Sequence, residues 1–362
     1  MKFLPLSARS FLHQLYKKAE CKEHPLLYLF LEITRACNLA CRHCGSDCSA
    51  KTRFAALTTD SWVKILENIA AGFSPGPAIV LTGGEPLLHP GFTQLIRKLR
   101  ELHFRWGIVS NGYDLDERML ETMLENDIHS ITISLDGKEE SHNWLRGKGD
   151  SYRKAVRAIR AVSASKIACR DVVTCVHPRN SSELDAVAEM LIANGVNAWR
   201  LFRIFPAGRA AGNRESQLSI NETRRMLDWI GERREGLRKE GLEVNLSCEG
   251  WLPFAIDTKV RNQPFFCRAG INIASVLCDG TVTGCSNNSE QFFEGNVLTD
   301  SLAYLWKNKF EKFRDRKWVG TSECGKCRDL KRCRGGSIHL WRDNLLKPEF
   351  CYMDCYKDLK MN

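Results

Sequence analysis

No stretch of about 18 consecutive apolar residues occurs in this 362-residue sequence, so no hydrophobic transmembrane helix is expected. The first residues, MKFLPLSARSFLHQLYKKAECKEH, are interrupted by proline, arginine, histidine and glutamine and make a poor signal peptide. Low-complexity linkers and convincing internal repeats are missing too. An apolar share of 43% and a charged share of 27% exclude a disordered or collagen-like chain. What remains is a cytoplasmic globular protein, long enough for one large α/β domain with a smaller appendage.

Charge has little to say about function. The excess of 53 Lys+Arg over 43 Asp+Glu is spread along the chain in short knots such as RRMLDWIGERREGLRKE. A nucleic-acid binder concentrates its basic residues on one stripe, so no nucleic-acid partner is expected. The surplus reads as solvated helix faces with some attraction for anions.

Cysteine is what the sequence has in excess. Sixteen cysteines without a secretory signal fit a disulfide framework badly and point to metal or redox chemistry. They fall into a cluster at Cys37, Cys41, Cys44 and Cys48 and a second group from Cys248 to Cys355. Between these regions, apolar runs at 27–34, 78–82, 106–110, 130–135, 170–176 and 198–205 alternate with helix-like stretches. The helices are expected at 59–71, 91–102, 115–126, 151–164, 181–194 and 219–239, the last opening on Ser219 or Asn221 as N-cap. Such alternation predicts a parallel sheet. Six units are fewer than a closed eight-unit barrel requires, so the fold class is α/β, a partial (β/α)6 TIM-type barrel. Residues 1–26 form an N-terminal extension, 27–240 the barrel, and 241–362 a small cysteine-rich domain held by metal, with a hairpin at CDGTVTGC.

After the first apolar run comes ITRACNLACRHCGSDC, in which Cys37, Cys41 and Cys44 have the spacing C-x3-C-x2-C. Three thiolates on one loop can hold three corners of a [4Fe–4S] cube and leave one iron open. A closed zinc site, with Cys48 or His43 as fourth ligand, is the alternative. This loop resembles the motif of the radical S-adenosylmethionine (radical SAM) enzymes, with His43 in the slot usually held by an aromatic residue. LTGGEP (81–86), VSNGY (109–113), SLDG (134–137) and HNWLRG (142–147) follow in the order of that family.

The resemblance implies a SAM-binding cluster on Cys37, Cys41 and Cys44, with the SAM amino group received at Gly83, Gly84, Glu85 and Pro86. It further implies SAM contacts at Ser110 and Asn111, ribose contacts at Ser134 and Asp136, Arg146 on the SAM carboxylate, and the His43 ring against adenine. Reductive cleavage of SAM would then yield a 5′-deoxyadenosyl radical that abstracts a substrate hydrogen. Flavodoxin or ferredoxin would be the usual reductant.

The C-terminal cysteines, Cys267-x12-Gly280-x4-Cys285, Cys324-x2-Cys327-x5-Cys333 and Cys351, resemble the SPASM domain of the same enzymes. Ser337 stands where that pattern has a cysteine. The resemblance implies one auxiliary [4Fe–4S] cluster on Cys324, Cys327, Cys333 and Cys351, with Cys355 able to compete for the last place. A second cluster on Cys267 and Cys285 would need Cys248 or Cys278 to complete it, and a zinc ribbon at the CGKC pair is the bland alternative. HPLLYLFLEITRACNLACRHCGSDC, SHNWLRG, DVVTCV, RIFPAGRA and CRGGSIHLW, spread over nearly the whole chain, look like the radical SAM members of rSAM/lipoprotein gene pairs. That likeness names as partners a peptide or protein substrate, either a co-encoded lipoprotein or a precursor peptide. About 26 residues before the barrel are too few for a fused leader-binding domain. Three functions compete: peptide or protein maturation, a small-molecule reaction on a tetrapyrrole or sugar-like metabolite, and a non-catalytic iron–sulfur sensor. No sulfur-insertion, methyl-transfer or cobalamin motif is found.

Overall fold

The computed structural model describes residues 4–49, 56–342 and 345–356. An N-terminal helix, α1 (Leu6–Glu23), precedes the alternating core. The core runs β1 (Tyr28–Thr34), α2 (Thr59–Gly72), β2 (Ala78–Gly83), α3 (Phe92–Glu101), β3 (Trp106–Ser110), α4 (Glu117–Glu125), β4 (Ser130–Ser134), α5 (Glu139–Arg146) and α6 (Ser151–Ala164). It continues through β5 (Cys169–Val176), α7 (Leu184–Ala193), β6 (Ala198–Arg203) and α8 (Ile220–Lys239). The six expected strands are all present and pair in parallel in chain order. Strands covered on both faces read as continuous apolar runs, which is why they were legible.

Local chemistry fixes the helices between them. Thr58 caps α2 by accepting from the Ser61 amide, and Trp62, Ile65, Leu66 and Ile69 form its buried stripe. Ser219 caps α8 in a reciprocal capping box with Glu222. Trp62, Trp106 and Trp199 are fully buried between sheet and helices, each contributing about 1.5–3 kcal/mol of apolar burial.

After α8 the chain adds β7 (Glu243–Leu246), α9 (Phe254–Val260), β8 (Ile273–Val276), β9 (Thr281–Thr283) and β10 (Phe293–Asn296). β7 pairs in parallel with β6, and β8 pairs in parallel with β1, so residues beyond 240 extend the sheet at both sides. β8, β9 and β10 form an antiparallel meander, its first turn being the hairpin expected at CDGTVTGC. Among the described residues the sheet has ten strands in the order β10-β9-β8-β1-β2-β3-β4-β5-β6-β7. Short helices α10 (Leu302–Asn308), α11 (Glu311–Arg314) and α12 (Leu330–Cys333) complete the chain. The α1 helix packs on this late region: Lys17 donates to the Arg332 carbonyl at 2.8 Å and His13 meets the Phe265 carbonyl at 3.2 Å.

Candidate active site and cysteine clusters

The loop from Arg35 to Ser49 leaves the C-terminal end of β1 without regular structure. Cys37, Cys41 and Cys48 are buried and Cys44 is half-buried, packed with Leu39 and Tyr113. Burial pushes the Cys37 thiol up to about 11 and raises Cys41 as well. Cys44 moves the other way, to about 5, through hydrogen bonds from Cys48 and the charge of Arg209. Cys48 donates its amide to the Cys44 sulfur at 3.3 Å, a supporting role for a residue of undecided purpose in the sequence.

The neighbouring loop approaches this one closely. Gly83 lies at φ +145°, and a Cβ there would stand 2.1 Å from the Thr34 carbonyl oxygen. A Cβ on Gly84 would stand 2.3 Å from the Ala36 carbonyl oxygen. The Gly84 and Glu85 amides donate to those same two carbonyls, at 2.8 and 2.9 Å. The glycine pair is thus what lets the β2 loop seat against the cysteine loop.

Glu85 and Ser110 meet between two of the loops at the strand ends. The Glu85 side chain has no exposed surface, and its carboxylate accepts from Ser110 Oγ at 2.9 Å and the Asn111 amide at 2.8 Å. Burial raises its pKa to about 7. Ser110 is 2% exposed, with its hydroxyl spent on Glu85 and the Gly112 amide. These two side chains tie the β2 and β3 loops together. Pro86 is buried at the start of a short 3-10 turn. Asn111, by contrast, reaches from β3 to within 3.8 Å of the Cys37 sulfur and 2.8 Å of Asn38 Oδ1.

Asp136 is held between elements in a similar way. Its side chain is fully buried, one oxygen accepting from the Cys175 amide at 2.7 Å and the other from Arg146 Nε at 2.6 Å. A buried carboxylate must be paired, and Arg146 supplies that pairing. Burial alone would raise its pKa, but Arg146 and His43 hold it down at about 2. Arg146, so anchored, extends Nη1 to 3.8 Å from the Cys41 sulfur. Ser134 ends β4 nearby with 8% of its surface accessible. His43 is kept neutral by burial and by Arg146, its pKa lowered to about 3, and its buried Nδ1 has no hydrogen-bond partner.

The sequence reading missed Arg209. After β6, Gly208 turns at φ +52°, where a Cβ would stand 2.5 Å from the Cys44 and Gly45 carbonyl oxygens. The next residue clamps the cysteine loop at three points. Arg209 Nε donates to the Cys41 carbonyl at 2.7 Å, Nη1 to Asp47 Oδ1 at 2.6 Å and Nη2 to the Cys48 carbonyl at 2.9 Å. The signal lay in the PAGR turn at a strand's C-terminal end, quoted only as part of a family likeness.

In the late region, Cys324, Cys327, Cys333 and Cys351 line one small cavity of about 50 Å³. Cys355 is buried and does not line this cavity, its thiol donating to the Ile220 carbonyl at 3.6 Å. Cys248, Cys267 and Cys285 line a second cavity of about 420 Å³. Cys278 is not among them. It follows the C-terminal end of β8, beside Glu32 and Arg35, whereas Cys267 precedes β8 and Cys285 returns toward Cys267 after β9. The hairpin therefore carries Cys278 to its far end. Cys169 is exposed at the start of β5.

Among the described residues, no three His, Cys, Asp or Glu side chains come close enough to share one metal ion. A closed zinc site needs about four ligands around a single ion. A four-iron cube takes each thiolate on a different iron and so accepts more widely set thiols than a single ion does.

Comparison with known proteins agrees with this geometry. Residues 31–191 match the Radical SAM superfamily, and residues 267–328 match SPASM, an iron-sulfur cluster-binding domain. The chain is a radical SAM enzyme with a SPASM domain, a class that binds [4Fe–4S] clusters and SAM. It is 24% identical over 327 residues to an AdoMet-dependent heme synthase of Methanosarcina barkeri, covering 84% of this chain and 89% of that protein. It is 28% identical over 325 residues to the mycofactocin maturase MftC of Mycobacterium ulcerans, covering 87% and 85%. Streptococcus suis SuiB, solved with its precursor peptide SuiA, superposes with a TM-score of 0.66 at 16% identity over 93% of this chain and 78% of SuiB.

Proposed function

We propose that this enzyme modifies a peptide or protein substrate. Cys37, Cys41 and Cys44 would hold the SAM-binding cluster, and Gly83, Gly84, Asn111, Ser134, His43 and Arg146 would surround SAM. Cys324, Cys327, Cys333 and Cys351 would hold one auxiliary [4Fe–4S] cluster, and Cys248, Cys267 and Cys285 a second. When bound, cluster and SAM supply a one-electron reductive cleavage whose 5′-deoxyadenosyl radical abstracts a substrate hydrogen. Arg146, fixed by Asp136, presents a positive charge beside Cys41 where an anionic carboxylate would be received. The neutral His43 ring offers an uncharged face to a base, and the burial of Cys37 and Cys41 keeps water from the reacting centre. All sixteen cysteines are free, as ligation and a reducing cytoplasm require, and an acidic flavodoxin- or ferredoxin-type protein is the natural reductant.

The observation that carries the substrate class is a cavity of about 640 Å³ beside the cysteine loop. Gly45, Ser46, Ser286, Asn287, Asn288 and Gln291 line it, together with the charged Glu32, Arg35, Asp279, Glu290 and Arg342. Amide and hydroxyl groups match the alternating donors and acceptors of an extended polypeptide. A tetrapyrrole would call for broad apolar walls. The test is anaerobic incubation with SAM, a reductant and the polypeptide encoded beside this gene. A mass change in the polypeptide together with 5′-deoxyadenosine release supports the reading. Turnover of an iron-coproporphyrin with the polypeptide unchanged would replace it with the haem-type reaction.

A further inference from the structure

Ser337 stands where the SPASM pattern has a cysteine, and its surroundings show what has taken that place. The residue is fully buried and donates its hydroxyl to the Cys248 carbonyl at 2.8 Å. It therefore braces the backbone of one cavity thiol. The short turn that follows, Ile338–Leu340, lies against the same cavity. Cys248, Cys267 and Cys285 line one cavity and sit close enough to act on one another electrostatically.

Apart from these three thiols, His339 is the single residue lining this cavity whose side chain is of a kind that commonly ligates iron. The other polar side chains around it are arginines, amides and Ser247. The His339 ring is steered by Phe205, with ring centroids 4.9 Å apart, and among the described residues it has no hydrogen-bond partner. Arg268 lines the cavity too and has no carboxylate partner among the described residues, whereas Arg200 and Arg261 are paired with Asp171 and Asp257. We propose that the second auxiliary cluster is bound through three irons by Cys248, Cys267 and Cys285 and through the fourth by His339. This rests on the cluster assignment made under the proposed function. A neutral imidazole in place of a thiolate leaves the cluster less negative, which raises its reduction potential.

The test uses the full chain, reconstituted anaerobically and reduced with a europium(II) chelate. Wild type, wild type labelled with 15N-histidine, and His339→Cys are compared by iron content and by nitrogen hyperfine coupling in pulsed EPR. The expected result is about twelve irons per chain, three four-iron clusters. A nitrogen coupling should change on labelling and vanish in His339→Cys, where one cluster's potential falls while the iron content holds. About twelve irons with no histidine coupling in wild type would overturn the fourth ligand alone. About eight irons, unchanged in Cys248→Ser, would overturn the three-thiol site beneath it as well. Because the labelled wild type is informative by itself, a poorly folding variant does not spare the proposal.

Discussion

Arg146 Nε lies 2.6 Å from Asp136 Oδ2, and the same guanidinium reaches to 3.8 Å from the Cys41 sulfur. One buried ion pair therefore links the β4 loop, the end of α5 and the cysteine loop. Removing a single partner of such a pair leaves an uncompensated buried charge, at about 3–5 kcal/mol. Asp136→Ala should lower the denaturation midpoint and weaken SAM binding in isothermal titration, because it frees Arg146 from its anchor. Because its folded pKa is depressed to about 2, the pair's contribution is complete above about pH 4 and is lost as pH falls through 2.

Gly84→Ala should strip the SAM-binding cluster. The added Cβ would stand 2.3 Å from the Ala36 carbonyl oxygen, next to Cys37. Iron analysis should show about four irons lost per chain, with SAM cleavage abolished as in Cys37→Ala and the auxiliary clusters retained.

Arg209→Ala removes three hydrogen bonds that hold the cysteine loop. Air exposure should bleach the SAM-binding cluster several-fold faster than in wild type. Arg209→Lys should restore little, since an ammonium cannot reproduce the planar fork.

Cys351 and Cys355 are separated by only three residues yet should behave differently. Cys351→Ser, like Cys327→Ala, should lose about four irons per chain, whereas Cys355→Ser should lose none. Equal losses from both would show that the ligand set has been misassigned.

Glu85 should make folding sensitive to alkali. Its folded pKa, raised to about 7 by burial, exceeds that of the unfolded chain. Its contribution is greatest below about pH 4.5 and falls as pH rises through 7. Anaerobic urea titrations at pH 6 and 8 should show a loss of stability that Glu85→Gln diminishes.

Much of this architecture was legible in the sequence because parallel strands buried on both faces read as apolar runs. Expected and observed boundaries for β1 to β6 differ by at most two residues. The N-terminal helix was read as an extension because Phe11, Leu12 and Leu15 lie exposed and blur its apolar stripe. α5 was read only as a motif, although acidic Glu139 and Glu140 in its first turn and Arg146 in its last are the charges a helix dipole favours. β7 and β8, four residues each, are too short to show a period. Within the site, the cysteine spacing was legible because it is local. The engagement of Glu85 with Ser110, of Asp136 with Arg146 and of Arg209 with the cysteine loop was not, because each joins loops from different strands. The same holds for Cys248 beside Cys267 and Cys285, which meet only once β7 and β8 have been added to the sheet.

That addition makes the protein a single cooperative unit. A chain cut at residue 240 would leave β1 and β6 each with one row of backbone donors and acceptors unpaired, since β8 and β7 normally cover them. The barrel half would then be sticky and the cysteine-rich half would have nothing to dock on. The two parts of this enzyme cannot be separated and studied as modules; they fold, and are lost, together.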